Sequence, residues 1–204
     1  MPVNFQGELN LLGHVPVEPL QAAVSAFDEA RWSEDQSRQK RFDAHSSTST
    51  VKLIFDADYR HRDPTVHPAF GELRSLIEPA IALIRTTYSQ TMRQRRWIAR
   101  HGEGYFIRMI LTRLAPKAII KPHADGGHSL SRCHRIHLPI LSNPNCHFQV
   151  GGTTLVMKPG EVWEINNRLT HAVSNDGDEP RVHLILDYVQ PGETVLDHDG
   201  ALVA

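Results

Sequence analysis

The pattern of apolar and polar positions changes character near Gly104. Before it, "NFQGELNLL" alternates as an edge strand would. In "VEPLQAAVSAFD", Leu20, Ala23, Val24 and Phe27 fall at helical spacing, with Pro19 in the first turn where its missing N–H does no harm. Trp32 to Ser49 is polar and charged and predicts a surface loop, after which "STVKLIFDAD" reads as a strand. Between His67 and Trp97, Phe70, Leu73, Ile77, Ile81 and Ile84 recur every three or four residues, the apolar stripe of a helix that covers a sheet.

From Gly104 onward short β-type runs take over: "YFIRMILTRL", "AIIKPH", "CHRIHLPIL", "HFQV", "TTLVM", "EVWEI" and "RVHLILDYV". Turn signals such as "LAPK", "ADGGH", "SNPN", "KPG" and "NDGDEP" separate them. Seven short strands at this spacing predict a sandwich or barrel, not a parallel α/β sheet. The expected class is mainly β with supporting α-helices, a helix-braced jelly roll in one domain over residues 1–204. Strands and supporting helices occupy 1–100, the jelly-roll core 101–190 and a tail 191–204.

Two of the strands share an Arg-x-His-Leu pattern, starting at Arg135 and at Arg181. Side chains alternate along a strand, so Arg135 and His137 share one face while Ile136, Leu138 and Ile140 share the other. Likewise Arg181, His183, Ile185 and Asp187 oppose Val182, Leu184, Leu186 and Tyr188. An arginine face cannot be ordinary core, because a buried unpaired guanidinium is costly. It faces water or lines a cavity that holds anions. Alternation also turns Arg108 to the cavity, as a receptor for substrate carboxylate or as a member of an ion pair at the barrel mouth. His134 is turned away from it.

Composition narrows the function. The 204 residues carry a formal charge of −1, which leaves no footprint for nucleic acid or an anionic membrane. The basic run "RQRRW" at Arg93–Trp97 fits a solvated helix end or one that complements the helix dipole. No apolar run is long enough to span a bilayer. The first residues lack a basic n-region and an apolar h-region, so no signal peptide is expected. Two cysteines, Cys133 and Cys146, make no disulfide framework. A soluble, cytoplasmic protein is the default expectation.

Thirteen histidines matter only through their placement. In "KPHADGGHSL", His123 and Asp125 stand two apart at a strand end, so both side chains reach one ion. His171 follows 46 residues after Asp125, and Arg181 lies ten further on, on a strand. Two imidazoles and one carboxylate form the facial triad of non-haem Fe(II) oxygenases, which leaves positions open for a bidentate co-substrate. Arg181 is suited to grip the remote carboxylate of such a co-substrate, with Arg135 and His137 supplying further contacts. His128 follows two glycines that break the strand register, and belongs to the pocket rim.

Residues 104–190 resemble the aspartyl/asparaginyl β-hydroxylase family of Fe(II)/2-oxoglutarate oxygenases, through "KPHADGG", "RIHLPI", "KPGEVWEINNRLTHAVSN" and "RVHLILD". The resemblance implies a double-stranded β-helix, a cupin-like jelly roll, and hydroxylation of a C–H bond with Fe(II), 2-oxoglutarate and O2. It implies that His123, Asp125 and His171 hold iron and that Arg181 grips the C5 carboxylate of 2-oxoglutarate, assisted by Thr112. It further implies that His137 lies near the C1 carboxylate and that Arg135 meets a substrate carboxylate. The expected partner is a small amino acid or peptide substrate bearing a carboxylate. The chain departs from the best-known animal members, which have glycine where it has Asp125 and which add a helical-repeat domain. A cupin-like metal-dependent isomerase or lyase, and a non-catalytic ligand-sensing module, are the competing classes. An arginine ten residues after the third ligand argues against the first, and the presence of all three ligands argues against the second.

Overall fold

Residues 1–37, 46–61, 63–197 and 199–203 are described in the computed structural model. Their main feature is a pair of antiparallel sheets. The larger has the order β1 (Leu9–His14), β9 (Glu161–Ile165), β6 (His134–Leu141), β11 (Arg181–Val189), β4 (Tyr105–Leu114), β2 (Thr48–Phe55), β3 (Thr65–Val66). The smaller has the order β5 (Ala118–His123), β10 (His171–Asn175), β7 (Cys146–Val150), β8 (Thr153–Leu155). Leu114 and Ile165 of the larger sheet pack against Ile120, Phe148, Val150 and Val173 of the smaller, so the two close into a jelly roll. Near the C-terminus β12 (Val195–Leu196) pairs with β13 (Leu202–Val203).

The outer face of the larger sheet is covered by helices. In α3 (Pro68–Thr87) the buried residues are Leu73, Ile77, Ala80, Ile81 and Ile84, the stripe that the spacing predicts. They join Leu20 and Val24 of α1 (Glu18–Ser25) in one cluster with Ile136, Leu138 and Ile140 of β6 and Val182, Leu184 and Leu186 of β11. Burying such a side chain stabilises by roughly 1.5–3 kcal/mol, so this face anchors the sheet. The alternate positions, Arg135 and His137 on β6 and Arg181, His183 and Asp187 on β11, are then committed to the interior of the roll.

Three local expectations are corrected. Trp32 is not in a surface loop: it lies in α2 (Glu29–Ser33), is 3% exposed, and packs against the Phe27 ring and the Arg113 guanidinium. Asp28 caps that helix through the Arg31 N–H, and the packing of Trp32 holds it in place. Thr48 and Ser49, the end of the expected loop, already belong to β2, and residues 38–45 lie outside the described set. His171 opens strand β10, which the polar run "HAVSN" hides. Pairing with β5 on one side and β7 on the other makes it a strand. The basic run also differs in position: it occupies the first part of α4 (Met92–His101), behind a Thr91–Gln94 capping box, and so does not complement the C-terminal end of the dipole.

His134 faces away from the interior, as alternation requires. Its two ring nitrogens lie 2.6 Å from Glu164 and 2.7 Å from Glu193, and all three side chains are buried. Burial alone would lower the imidazole pKa, but the hydrogen bonds and charges of both glutamates raise it to about 9. The folded pKa therefore exceeds the unfolded value, about 6.5. The resulting stability is complete below that value and is lost as the pH rises through about 9. Thermal unfolding followed from pH 6.5 to 9.5 should show the midpoint falling as the pH passes through about 9. His134→Gln should lower the midpoint more at pH 6.5 than at pH 9.5.

Candidate metal centre

β5 ends and β10 begins at one point, with His123 and His171 directly opposite each other across the pair. Their rings are 4.3 Å apart between centroids. Asp125 follows β5 by two residues, and its backbone N–H donates to the Asn167 carbonyl at 3.0 Å. Asn167 in turn donates its side-chain amide to the Leu130 carbonyl at 2.8 Å, and Asn166 ties to Phe5 and Gly7. These bonds fix the turns that carry Asp125 and His171. Ligand atoms of His123, Asp125 and His171 all lie within 4.8 Å of one another, and they form the one such cluster among the described residues.

Each imidazole is held in the tautomer that a metal requires. His123 Nδ1 lies 2.7 Å from the Lys121 carbonyl, and His171 Nδ1 lies 3.0 Å from the Leu169 carbonyl. A carbonyl only accepts, so each Nδ1 carries the proton and each Nε2 keeps its lone pair. Burial lowers the pKa of His171 against the opposing pull of Asp125, which keeps the ring neutral. His128 is not in the cluster. It lies in the short helix α5 (Gly127–Ser131), its ring tilted against that of His61 with 5.5 Å between ring centroids.

A narrow cavity runs from the cluster into the roll. Thr48, Thr112, Ile120, His123, Arg135, His137, Phe148, His171, Val173, Arg181 and Ile185 line it. At its inner end Arg181 is 1% exposed, with no carboxylate partner among the described residues. Its NH2 group donates to His183 Nδ1 at 2.6 Å, and its Nε has no hydrogen-bond partner. Burial pushes its pKa down to about 10, opposed by Cys146, so it is still a cation at neutral pH. Burial, Arg181 and His137 hold His183 neutral. A buried cation with an unsatisfied donor, lining the same cavity as His123 and His171, suits an anion that reaches toward those two imidazoles. The residues therefore fit Fe(II) and 2-oxoglutarate.

Arg135 and Arg108 reach the same interior but are already paired. Arg135 meets Asp125 and Asp187, and Arg108 meets Asp56 with Asp187 close by. Of the two roles open to Arg108, the ion pair is the one present. The expectation that Arg135 meets a substrate carboxylate is confronted by two carboxylates of the chain itself. Asp187 had a signal in the sequence, since it shares the Arg181 face. Asp56, after the end of β2, had none.

Jelly-roll architecture, a His-Asp-His cluster and an unpaired arginine in the adjoining cavity define an Fe(II)/2-oxoglutarate oxygenase. The family profile described as aspartyl/asparaginyl beta-hydroxylase matches residues 85–191, just over half of the chain. The chain belongs to the aspartyl/asparaginyl β-hydroxylase family and is a 2-oxoglutarate-dependent hydroxylase that uses Fe(II) and O2. No curated protein matches it in sequence. Among solved structures, AviO1 from Streptomyces viridochromogenes Tue57 is similar at 13% identity and TM-score 0.54, with 91% of each chain covered. A Pseudomonas putida prolyl-4-hydroxylase is similar at 12% identity and TM-score 0.51, over 91% of this chain and 94% of that one. A 2OG-Fe(II) oxygenase family oxidoreductase from Burkholderia pseudomallei is similar at 14% identity and TM-score 0.53, over 72% and 68%. At these identities the likeness is one of fold.

The uncompensated charge of Arg181 can be measured without turnover. Arg181→Met should raise the stability of the ligand-free protein, by roughly 1–3 kcal/mol, because it removes a buried cation that has no carboxylate partner. The same variant should lose the stabilisation that 2-oxoglutarate gives to the Co(II)-loaded native protein. Differential scanning fluorimetry checks both.

Proposed function

We propose that the protein hydroxylates a C–H bond of an amino acid, free or within a peptide, with His123, Asp125 and His171 holding Fe(II). Arg181 and Thr112 receive the C5 carboxylate of 2-oxoglutarate, and His137 serves its C1 carboxylate. The observation that carries this assignment is Arg181: a fully buried cation with no carboxylate partner among the described residues, lining the same cavity as two of the three candidate ligands, His123 and His171. An anion bound there is stabilised by low dielectric as well as by charge. Thr112 stands opposite His183 across β4 and β11, which sets its hydroxyl beside the arginine's own hydrogen-bond partner. An amino acid substrate agrees with two fold neighbours, prolyl hydroxylases from Pseudomonas putida and from a Chlorella virus.

When bound, iron and 2-oxoglutarate supply the oxidation: O2 is consumed, succinate and CO2 are released, and one oxygen atom enters the substrate C–H bond. The chain's own residues bind, orient and exclude water. The two Nδ1–H donors to backbone carbonyls keep the imidazoles turned with Nε2 toward the ion. Ile120, Phe148, Val173 and Ile185 form apolar walls around the co-substrate cavity and keep bulk water from it. No helix among the described residues is long and apolar enough to cross a membrane.

Anaerobic titration of the Fe(II)-loaded protein with 2-oxoglutarate tests the assignment. The native protein should develop the visible metal-to-ligand charge-transfer band of a chelated keto acid. His171→Ala should abolish it through the metal, and Arg181→Ala should weaken it at least tenfold in 2-oxoglutarate affinity while leaving the iron bound. Bound iron without a band in the native protein would overturn the assignment.

A further inference from the structure

Arg135 is 4% exposed and spends three donors inside the roll. Its Nε and NH2 form two parallel bonds to Asp187, at 2.8 and 2.7 Å, and its NH1 reaches Asp125 Oδ2 at 2.5 Å. The same Asp125 oxygen lies 3.7 Å from His171 Nε2. Asp187 is fully buried and stands opposite Arg135 across β6 and β11 and opposite Arg108 across β4 and β11. Behind it, Arg108 donates twice to Asp56 Oδ1, and Ser129 donates to the other Asp56 oxygen.

We propose that Arg135 and Asp187 are positioning residues for the metal ligand Asp125, and that neither Arg135 nor Arg108 is the receptor for a substrate carboxylate. The inference rests on the assignment of Asp125 as a ligand. Two parallel bonds to Asp187 lock the guanidinium plane, so the direction of the remaining NH1 bond is fixed as well. That bond holds one carboxylate oxygen of Asp125, and with it the rotamer. A carboxylate on a turn, with neighbouring glycines at 126 and 127, otherwise has freedom that a metal site must remove. Each arginine is already matched by carboxylates of the chain. A substrate carboxylate would have to displace Asp125 or Asp187 from Arg135, or Asp56 from Arg108, and leave a buried anion without a partner. That exchange is unfavourable. The acid group of a substrate, where it has one, is therefore read by other residues.

The distinction is measurable on the full chain with Co(II) as the probe, in the absence of 2-oxoglutarate and substrate. Arg135→Gln and Asp187→Asn should weaken Co(II) binding about 10- to 100-fold, as loss of a ligand's hydrogen-bond partner does. Arg135→Lys keeps the charge without the planar fork, is the safer variant for folding, and should weaken binding in the same direction. In an Asp125→Ala background the Arg135 and Asp187 exchanges should have no further effect, because the residue they act through is gone. An Arg135→Lys protein with native Co(II) affinity would overturn the proposal in favour of a substrate role. Equal losses with and without Asp125 would also overturn it, in favour of a general role in folding. Native Co(II) affinity in Asp125→Ala alone would instead remove the ligand assignment on which the inference stands.

Discussion

On β6, β11 and β4 three ionised side chains, Arg135, Asp187 and Arg108, stand in one cross-strand row, and each is at most 5% exposed. Charge taken out of water must be met by opposite charge at close range, or it destabilises by several kcal/mol. The sheet meets this by register. Asp187 lies between the two arginines on neighbouring strands, and Asp56 and Asp125 complete the row at its two ends. A one-residue slip of β11 would turn Asp187 toward the helices and Leu186 into the interior. The apolar cluster around α3 and the ionic row inside the roll thus specify the same register from opposite faces.

The interior is uneven in how its charge is satisfied. Near the metal position every arginine has a carboxylate of the chain. Deeper in, Arg181 has a neutral histidine and an unsatisfied Nε. Among the described residues the fold thus neutralises two buried arginines and leaves the third without a carboxylate, the contrast on which the proposed co-substrate site rests. Ile120, Phe148, Val173 and Ile185 line the same cavity as Arg181, so its charge sits among apolar walls.

Much of this was legible because it depends on alternation and strand ends. His123 with Asp125, the distant His171, and Arg181 on an alternating strand are local patterns whose consequences follow from period two. The stripe from Phe70 to Ile84 was legible for the same reason at period 3.6. What depends on pairing between distant segments was not. Nothing in "RIHLPI" and "RVHLILD" says that residue 135 will stand opposite residue 187, so the guanidinium of Arg135 read as available to substrate. β10 was hidden because "HAVSN" has too few β-formers to announce itself, and Trp32 because its helix is one turn long and surrounded by charge. Those elements owe their state to tertiary contacts.

The carboxylate at position 125 and the pairing of Arg135 are linked, and the family resemblance makes the link instructive. Where animal members carry glycine in place of this aspartate, the NH1 group of an arginine placed like Arg135 would have no ligand carboxylate to hold. Its one remaining direction would then suit a carboxylate brought by a substrate. In this chain Asp125 occupies that direction and converts the arginine from a group that reads substrate into one that shapes the metal site. A single residue two positions after His123 thus decides which of two anions, one internal and one external, the guanidinium serves. Asp187 meets the other edge of the guanidinium in either case.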